Sequence, residues 1–346
     1  MPVNSVLITD AGGGSIALPP MRVLITGGAG FLGRAFLRRA YERSDASRLE
    51  WEITVYSRDE QKQNDARRRY PQARYVLGDV CDTDRLAATM TGHDVVIHAA
   101  AVKYIPEAEE NPGECVRVNV DGARSVITAA VRAGVNTVVG ISTDKAVQPL
   151  NAYGFTKAIM ERLFTEAHYR HGGATRFQTV RYGNVVGSTG SVIPLFQWQL
   201  RHDGYVTLTD PNMTRFWMPV DEAVDTVVYA VSRAHVAGSV TVPRPRAMRM
   251  GDLAAAIAGE GEQVKIVGVR PGEKEHELLM HHTESVWMRE ANGRQFYELL
   301  SRAVLSREDA ELAGMTAPHT LASHTPAGGW VQPDELRAWV KDASDV

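Results

Sequence analysis

The sequence predicts an α/β protein: a doubly wound, Rossmann-like parallel sheet with a smaller C-terminal substrate-binding cap. Three observations predict it. From residue 21 onward, short apolar runs alternate with helical segments through at least six βα units, the rhythm of a parallel sheet covered by helices on both faces. The first of these runs enters Gly27-Gly28-Ala29-Gly30-Phe31-Leu32-Gly33, a glycine-rich turn between a strand and a helix. After Gly187 the rhythm gives way to loops rich in Arg, Pro and aromatic residues.

Composition sets the outer bounds. A chain of 346 residues holds one large α/β unit with a smaller one appended. Lys plus Arg number 38 against 41 Asp plus Glu, a net charge of -3, and without a basic stripe no nucleic-acid partner is expected. Arg67-Arg68-Arg69 reads as a solvated helix face. Cys81 and Cys115 lie far apart with no metal-ligand spacing, so neither a disulfide nor a metal site is expected. No apolar run approaches the ~20 residues that span a bilayer. The N-terminus lacks the basic and apolar regions of a secretory signal, so the expectation is a soluble, cytoplasmic protein with no membrane association.

Residues 1–20 contain a decoy. Ser5-Val6-Leu7-Ile8 followed by Gly12-Gly13-Gly14 looks like a strand entering a glycine turn, but Pro19-Pro20 arrives before a helix can form behind it, so this stretch is read as an N-terminal extension. The Rossmann domain is expected over 21–187, completed by a helix and strand at about 220–243, with the cap over 188–219 and 244–346.

Arg22–Thr26 reads as the first strand, with a helix behind it to about Tyr41. Gly27, Gly30 and Gly33 permit a tight turn, close approach of backbone to a pyrophosphate and close packing of helix on strand. Phe31 and Leu32 open the helix, whose free N–H groups face the phosphate. The second strand, Trp51–Tyr56, runs straight into Ser57 and Arg58, with Lys62 close behind. A hydroxyl, a guanidinium and an ammonium suit a 2′-phosphate, so NADP is expected over NAD; an ordinary polar loop is the plainer alternative. Tyr75–Val80 reads as the third strand. Its Asp79, next to Val80, either accepts from an adenine amino group or caps the helix from about Asp82 to Met90. Val95–Ala101 reads as the fourth, with Ala99, Ala100 and Ala101 small enough for a cofactor to lie across the strand end and His98 a satisfied core histidine. The helix from Gly113 to about Ala133 carries Asn119, placed to steady the loop bearing Thr143.

The chemistry-bearing residues concentrate in Ser142-Thr143-Asp144-Lys145, after the strand Asn136–Ile141, and in Tyr153-Gly154-Phe155-Thr156-Lys157 on a helix over 151–169. A four-residue spacing puts Tyr153 and Lys157 on one helix face. A phenol of pKa about 10 is a poor base at neutral pH, and a nearby ammonium with a cationic nicotinamide favours its ionised form. Taken alone, Tyr-x-x-x-Lys more often means an exposed lysine over a packed tyrosine. Its place behind a strand's carboxyl end, where open α/β folds collect catalytic groups, favours the functional reading. In the cap, Met213–Pro219, Pro243–Pro245 and Arg270–Lys274 read as loops. There Arg215 and Arg270 can clamp a diphosphate and Glu273 can accept from a ribose diol, although each taken singly is an ordinary surface residue. His281-His282 reads as exposed rather than metal-binding.

The chain resembles an extended short-chain dehydrogenase/reductase acting on a nucleotide sugar, and more narrowly is similar to the soluble, C5-inverting UDP-N-acetylglucosamine 4,6-dehydratases. The matching words include Tyr56-Ser57-Arg58-Asp59-Glu60, His98-Ala99-Ala100-Ala101-Val102-Lys103, Ser142-Thr143-Asp144-Lys145-Ala146, Arg181-Tyr182-Gly183-Asn184, Met213-Thr214-Arg215-Phe216-Trp217 and Pro271-Gly272-Glu273-Lys274-Glu275-His276-Glu277. Tyr104 departs from the histidine of many relatives.

The resemblance implies a UDP-sugar substrate, tightly held NADP and a homo-oligomer. It implies that Tyr153 takes the proton of the sugar C4 hydroxyl, Thr143 bonds the same oxygen, and Lys157 holds ribose and phenolate. Lys145 is then the base at C5 and Asp144 the acid at the departing C6 hydroxyl, while Lys103 and Asn184 contact the substrate. Such a scheme expects a neutral Lys145, its pKa lowered by burial or nearby cations, and a protonated Asp144. Two alternatives remain: a UDP-sugar 4-epimerase, which needs only Thr143, Tyr153 and Lys157, and a non-catalytic NADP-binding protein.

Overall fold

The computed structural model describes residues 7–9, 15–45, 47–171, 173–232, 238–258, 263–300 and 320–343. Most of the glycine decoy, the expected helix end near residue 234, and residues 301–319 of the cap lie outside the described residues. Strands β1 (Leu7–Thr9) and β2 (Ser15–Ala17) pair antiparallel with each other and stay apart from the main sheet. The nucleotide-type fold begins only at residue 21.

Six parallel strands follow: β3 (Met21–Thr26), β4 (Trp51–Ser57), β5 (Arg74–Leu77), β6 (Val95–His98), β7 (Thr137–Ile141) and β8 (Arg176–Val180). Val23, Leu24 and Ile25 of β3 and every residue of β6 are buried, because helices cover both faces. The connecting helices are α1 (Phe31–Tyr41), α2 (Glu60–Arg69), α3 (Thr83–Met90), α4 (Ile105–Glu110), α5 (Pro112–Val116), α6 (Gly122–Ala133) and α7 (Ala152–His171). Asn151 caps α7, its side chain accepting from the Gly154 N–H at 2.8 Å. Gly134, in the left-handed region, ends α6.

Beyond β8 the chain alternates between cap and sheet. It forms β9 (Asn184–Val185), α8 (Val192–His202), β10 (Val206–Leu208), β11 (Thr214–Met218), α9 (Val220–Ser232), β12 (Val240–Pro243), β13 (Arg246–Arg249), α10 (Met250–Ala258), β14 (Val264–Ile266), β15 (Leu278–Met280), β16 (Ser285–Ala291), β17 (Arg294–Leu300), β18 (Leu321–Ala322) and α11 (Pro333–Ala343). The main sheet has the order β16-β17-β12-β8-β7-β6-β3-β4-β5. Its strand order reverses direction beside β3, between β4 and β6, which is where open α/β sheets bind ligands.

Several expectations need correction. The third strand stops at Leu77 and the fourth at His98, leaving Asp79, Val80 and Ala99–Ala101 in the loops beyond the strand ends. The expected long helix over 113–133 is broken by a π-helical turn, Arg117–Asp121, which carries Asn119. Thr214–Met218, expected as a loop, is a wholly buried strand between β13 and β9. The hairpin β16–β17 was assigned to the cap but extends the main sheet antiparallel from β12.

Candidate active site

The cofactor cradle sits at the reversal point. Gly27 has φ +68°, and a Cβ there would meet the Ala100 backbone at 2.8 Å, so the turn after β3 and the loop after β6 touch. A Cβ on Gly33 would lie 2.1 Å from the Gly28 carbonyl oxygen, which explains why α1 packs so closely on the turn. Gly30 precedes α1 without a side-chain cap, leaving the first-turn N–H groups for an anion. Thr26 Oγ1 bonds His98 Nδ1 at 2.9 Å, and burial pushes the His98 imidazole down to about 3, helped by the Lys157 charge. His98 is a core histidine as expected, but only half satisfied: its Nε2 is buried without a hydrogen-bond partner among the described residues.

Asn119 holds a different loop from the one expected. Its Oδ1 accepts from the Val102 N–H at 2.8 Å, and its Nδ2 donates to the Val102 carbonyl and to Thr156 Oγ1, each at 2.9 Å. The alanine loop after β6 is therefore tied to α7. Around the second strand, Ser57 Oγ accepts from Gln63 Nε2. Arg58 pairs with Asp79 at 3.7 Å and Glu114 at 3.4 Å, and Lys62 pairs with Asp59 at 2.9 Å. Asp82, not Asp79, caps α3. Asp79 instead accepts from the Cys81 N–H and Arg117.

The catalytic candidates converge. Thr143 caps a 3-10 turn, Asp144–Ala146, and its hydroxyl donates to Asp144 Oδ1 at 2.9 Å. Lys145 Nζ donates to the same carboxylate oxygen at 2.9 Å and lies 3.5 Å from Asn184 Oδ1. Asp144 is completely buried, and its Oδ2 has no hydrogen-bond partner among the described residues. Burial pushes the Tyr153 phenol up to about 12, against the pull of Lys145 and Thr143. Lys157 Nζ donates to the Ile141 carbonyl at 2.7 Å, and burial lowers it to about 8 although Glu161 pulls the other way.

Lys145 corrects an expectation. Burial alone favours the neutral amine, but Asp144 and then Glu277 outweigh it and hold the ammonium above the ordinary lysine range. Arg215 is the nearby cation acting in the other direction, rather than Lys157.

In the cap, Arg215 is 6% exposed and already engaged: Nη2 meets Glu273 at 3.1 Å, and Nη1 donates to the Thr214 and Glu275 carbonyls. Arg215 and Glu273 are therefore partners of one another, while Arg270 is exposed. Lys103 and Tyr104 are exposed after β6. Tyr104 closes over Gly190, where a Cβ would strike its hydroxyl. Residues without an assigned role also line the region. Glu277 lies 3.7 Å from Lys145, and Arg181 is clasped by Glu161 and Glu284 while Ser142 donates to Glu161. Glu277 lies just past the Arg270–Lys274 loop, and its burial has no counterpart in periodicity. Among the described residues no His/Cys/Asp/Glu cluster suits a metal, and no helix is long and apolar enough to cross a membrane.

Comparison with known proteins gives the chain its family. The polysaccharide biosynthesis protein model matches residues 23–297. A Campylobacter jejuni protein named UDP-N-acetylglucosamine 4,6-dehydratase (inverting) is 42% identical over 268 residues, covering 76% of this chain and 78% of that one. A Rickettsia felis protein named UDP-glucose 4-epimerase is 41% identical with the same coverage. Among solved structures, Pen from Bacillus thuringiensis aligns with a TM-score of 0.79 at 31% identity, over 93% of this chain and 98% of that one. The chain belongs to the polysaccharide biosynthesis protein family.

Proposed function

We propose that the protein is a UDP-N-acetylglucosamine 4,6-dehydratase, forming a UDP-4-keto-6-deoxy sugar with inversion at C5. One observation carries the reading: a buried Asp144–Lys145 ion pair, whose carboxylate also accepts from the Thr143 hydroxyl, lies where Lys145 and Thr143 both act on the Tyr153 phenol. The glycine turn fits a nicotinamide dinucleotide, since at Gly27 and Gly33 a side chain would fill space the backbone already uses. Gly27, Gly30, Phe31, Leu32 and Gly33 would hold its pyrophosphate, Ala99–Ala101 its flat face, Asp79 and Val80 its adenine, and Lys157 its ribose. When bound, the nicotinamide supplies a two-electron acceptor for C4 that later reduces C6. NADP rather than NAD is the finer part of the proposal, supported by Ser57, Arg58 and Lys62 at the end of β4.

The residues divide the proton work. Tyr153 removes the O4 proton as the phenolate, having first given its own proton to solvent, a loss that Lys145 and a bound cationic nicotinamide would favour against burial. Proton transfer from Lys145 to Asp144 turns the resting ion pair into an amine and a carboxylic acid, the two forms that elimination requires. Lys145 then takes the C5 proton. Asp144 gives its proton to O6, which leaves as water once its partnerless Oδ2 turns toward the sugar. Inversion requires the proton that returns to C5 to arrive from the face opposite Lys145, which keeps the proton it took and is left as the resting ammonium. The count closes if C5 takes that proton from solvent, matching the one Tyr153 gave to solvent on becoming the phenolate. Lys103, Asn184, Arg215, Arg270 and Glu273 would bind the nucleotide sugar. Exposed Val116, Phe155 and Ile159 on α5 and α7 support assembly as a homo-oligomer. Cytoplasmic localisation belongs to the same proposal, supported by the free Cys81 and Cys115.

A 4-epimerase is the second reading, favoured by the name of the Rickettsia relative. It moves a proton only at O4 and gives the Asp144–Lys145 pair no task. Incubation with UDP-N-acetylglucosamine in deuterated water, followed by mass spectrometry and proton NMR, separates the two. Loss of one water with deuterium at C5 supports the dehydratase; an isomer of unchanged mass contradicts it.

A further inference from the structure

Lys145 shares its charge with a second carboxylate that the scheme above does not use. Glu277 is 3% exposed, with Oε1 3.7 Å from Lys145 Nζ and Oε2 3.4 Å from Lys274 Nζ. Lys274 in turn donates to the Val147 carbonyl at 2.6 Å. The Glu277 backbone is fixed independently of its carboxylate: its N–H donates to Ser323 Oγ, and its carbonyl accepts from the Ser323 N–H, each at 2.8 Å. Asp144, Lys145, Glu277 and Lys274 thus form a row of alternating charge, with Arg215 and Tyr153 the other titratable groups that bear on Lys145.

The two carboxylates differ during turnover. Asp144 carries a proton before water leaves, so it offers no counter-charge when Lys145 takes the C5 proton. Among the described residues, Glu277 is then the carboxylate left within ion-pair range of the new ammonium. A buried ammonium without a counter-charge is strongly disfavoured.

We propose that Glu277 is a positioning residue for the C5 proton transfer, whose fixed carboxylate orients Lys145 and balances the ammonium formed there. The C5–H bond breaks, its electron pair enters the C4–C5 enolate, and its proton goes to Lys145 Nζ; Glu277 neither gains nor loses a proton. The inference rests on the dehydratase reading, and its test separates the two. The full-length, cofactor-loaded protein is used throughout.

First, acylation of Lys145 by a small reagent is followed by mass spectrometry against pH, without substrate. Glu277→Gln is expected to lower the half-labelling pH by about one unit or more, since one of two charges retaining the proton is gone. Second, with UDP-N-acetylglucosamine, Glu277→Gln is expected to slow water loss on the order of tenfold to a hundredfold. Reduced nicotinamide absorbance should build up, because oxidation at C4 uses Tyr153, Thr143 and Lys157. Glu277→Asp, with its charge set back by one methylene, is expected to shift both readouts in the same direction by less, and it carries the test if the glutamine variant does not fold. Labelling curves that coincide with wild type, or equal loss of oxidation and water loss, overturn the inference. A wild-type protein that labels as expected yet removes no water sinks the dehydratase reading and leaves the electrostatic role of Glu277 standing.

Discussion

Lys145 and Lys157 are both taken out of water, yet their neighbours drive them apart. For Lys157 burial wins and the amine falls to about 8; for Lys145 the Asp144 and Glu277 charges win and the ammonium is retained. The folded state therefore binds a proton at Lys157 less readily than the unfolded chain. Stability from this residue is present above the ordinary lysine value of 10.5 and is lost as pH falls through about 8. Lys157→Met is expected to flatten the wild-type rise in melting temperature between those pH values; an unchanged slope would contradict the assignment. Lys145→Ala should abolish water loss and leave cofactor affinity, measured by calorimetry, close to that of wild type. At this scale the sequence was informative where a motif fixed a neighbour, as with Thr143, Asp144, Lys145 and Tyr153. It misled on the charge of Lys145, because that is set by burial against Asp144 and by Glu277, more than a hundred residues away in the chain.

At the scale of elements, the site depends on how tightly α7 sits on the 3-10 turn. A Cβ on Gly154 would approach the Lys145 carbonyl oxygen to 2.3 Å, so Gly154→Ala must push helix and turn apart. The expected cost is about 1–3 kcal/mol of stability, checked by denaturant unfolding, together with reduced turnover. A second tie crosses from sheet to cap. Arg181, 3% exposed, meets both oxygens of Glu161 on α7 and both of Glu284 before β16. Glu161→Ala should destabilise by about 3–5 kcal/mol, since it leaves a buried guanidinium half-paired; a loss under about 1 kcal/mol would place that network among weak surface pairs. Strands of the parallel sheet were legible because they are continuous apolar runs. β11 was not, since Arg215 lies inside it and Pro219 follows it, and the partners that let that arginine be buried, Glu273 and the Glu275 carbonyl, lie about sixty residues on.

For the whole molecule, the β3–β6 reversal point, the cradle and the α7 site gather beyond the carboxyl ends of the strands of a sheet whose far edge is extended by β17 and β16. That edge was readable in principle: Asn292 and Gly293, with φ 51° and 69°, form the two-residue turn that an Asn-Gly pair signals, but the surrounding stretch matched no familiar motif. Cofactor choice is also a property of several loops. Arg58→Ala is expected to weaken NADP binding about tenfold or more relative to NAD in a fluorescence titration, as loss of a charge-assisted contact would; equal weakening of both would favour NAD. The central claim is that C4 and C6 of one hexose exchange a hydrogen within a single site. Turnover of UDP-N-acetylglucosamine deuterated at C4 tests it most directly: the expected product is lighter by one water and carries the deuterium at C6. Deuterium retained at C4 in a product that has lost no water would contradict it.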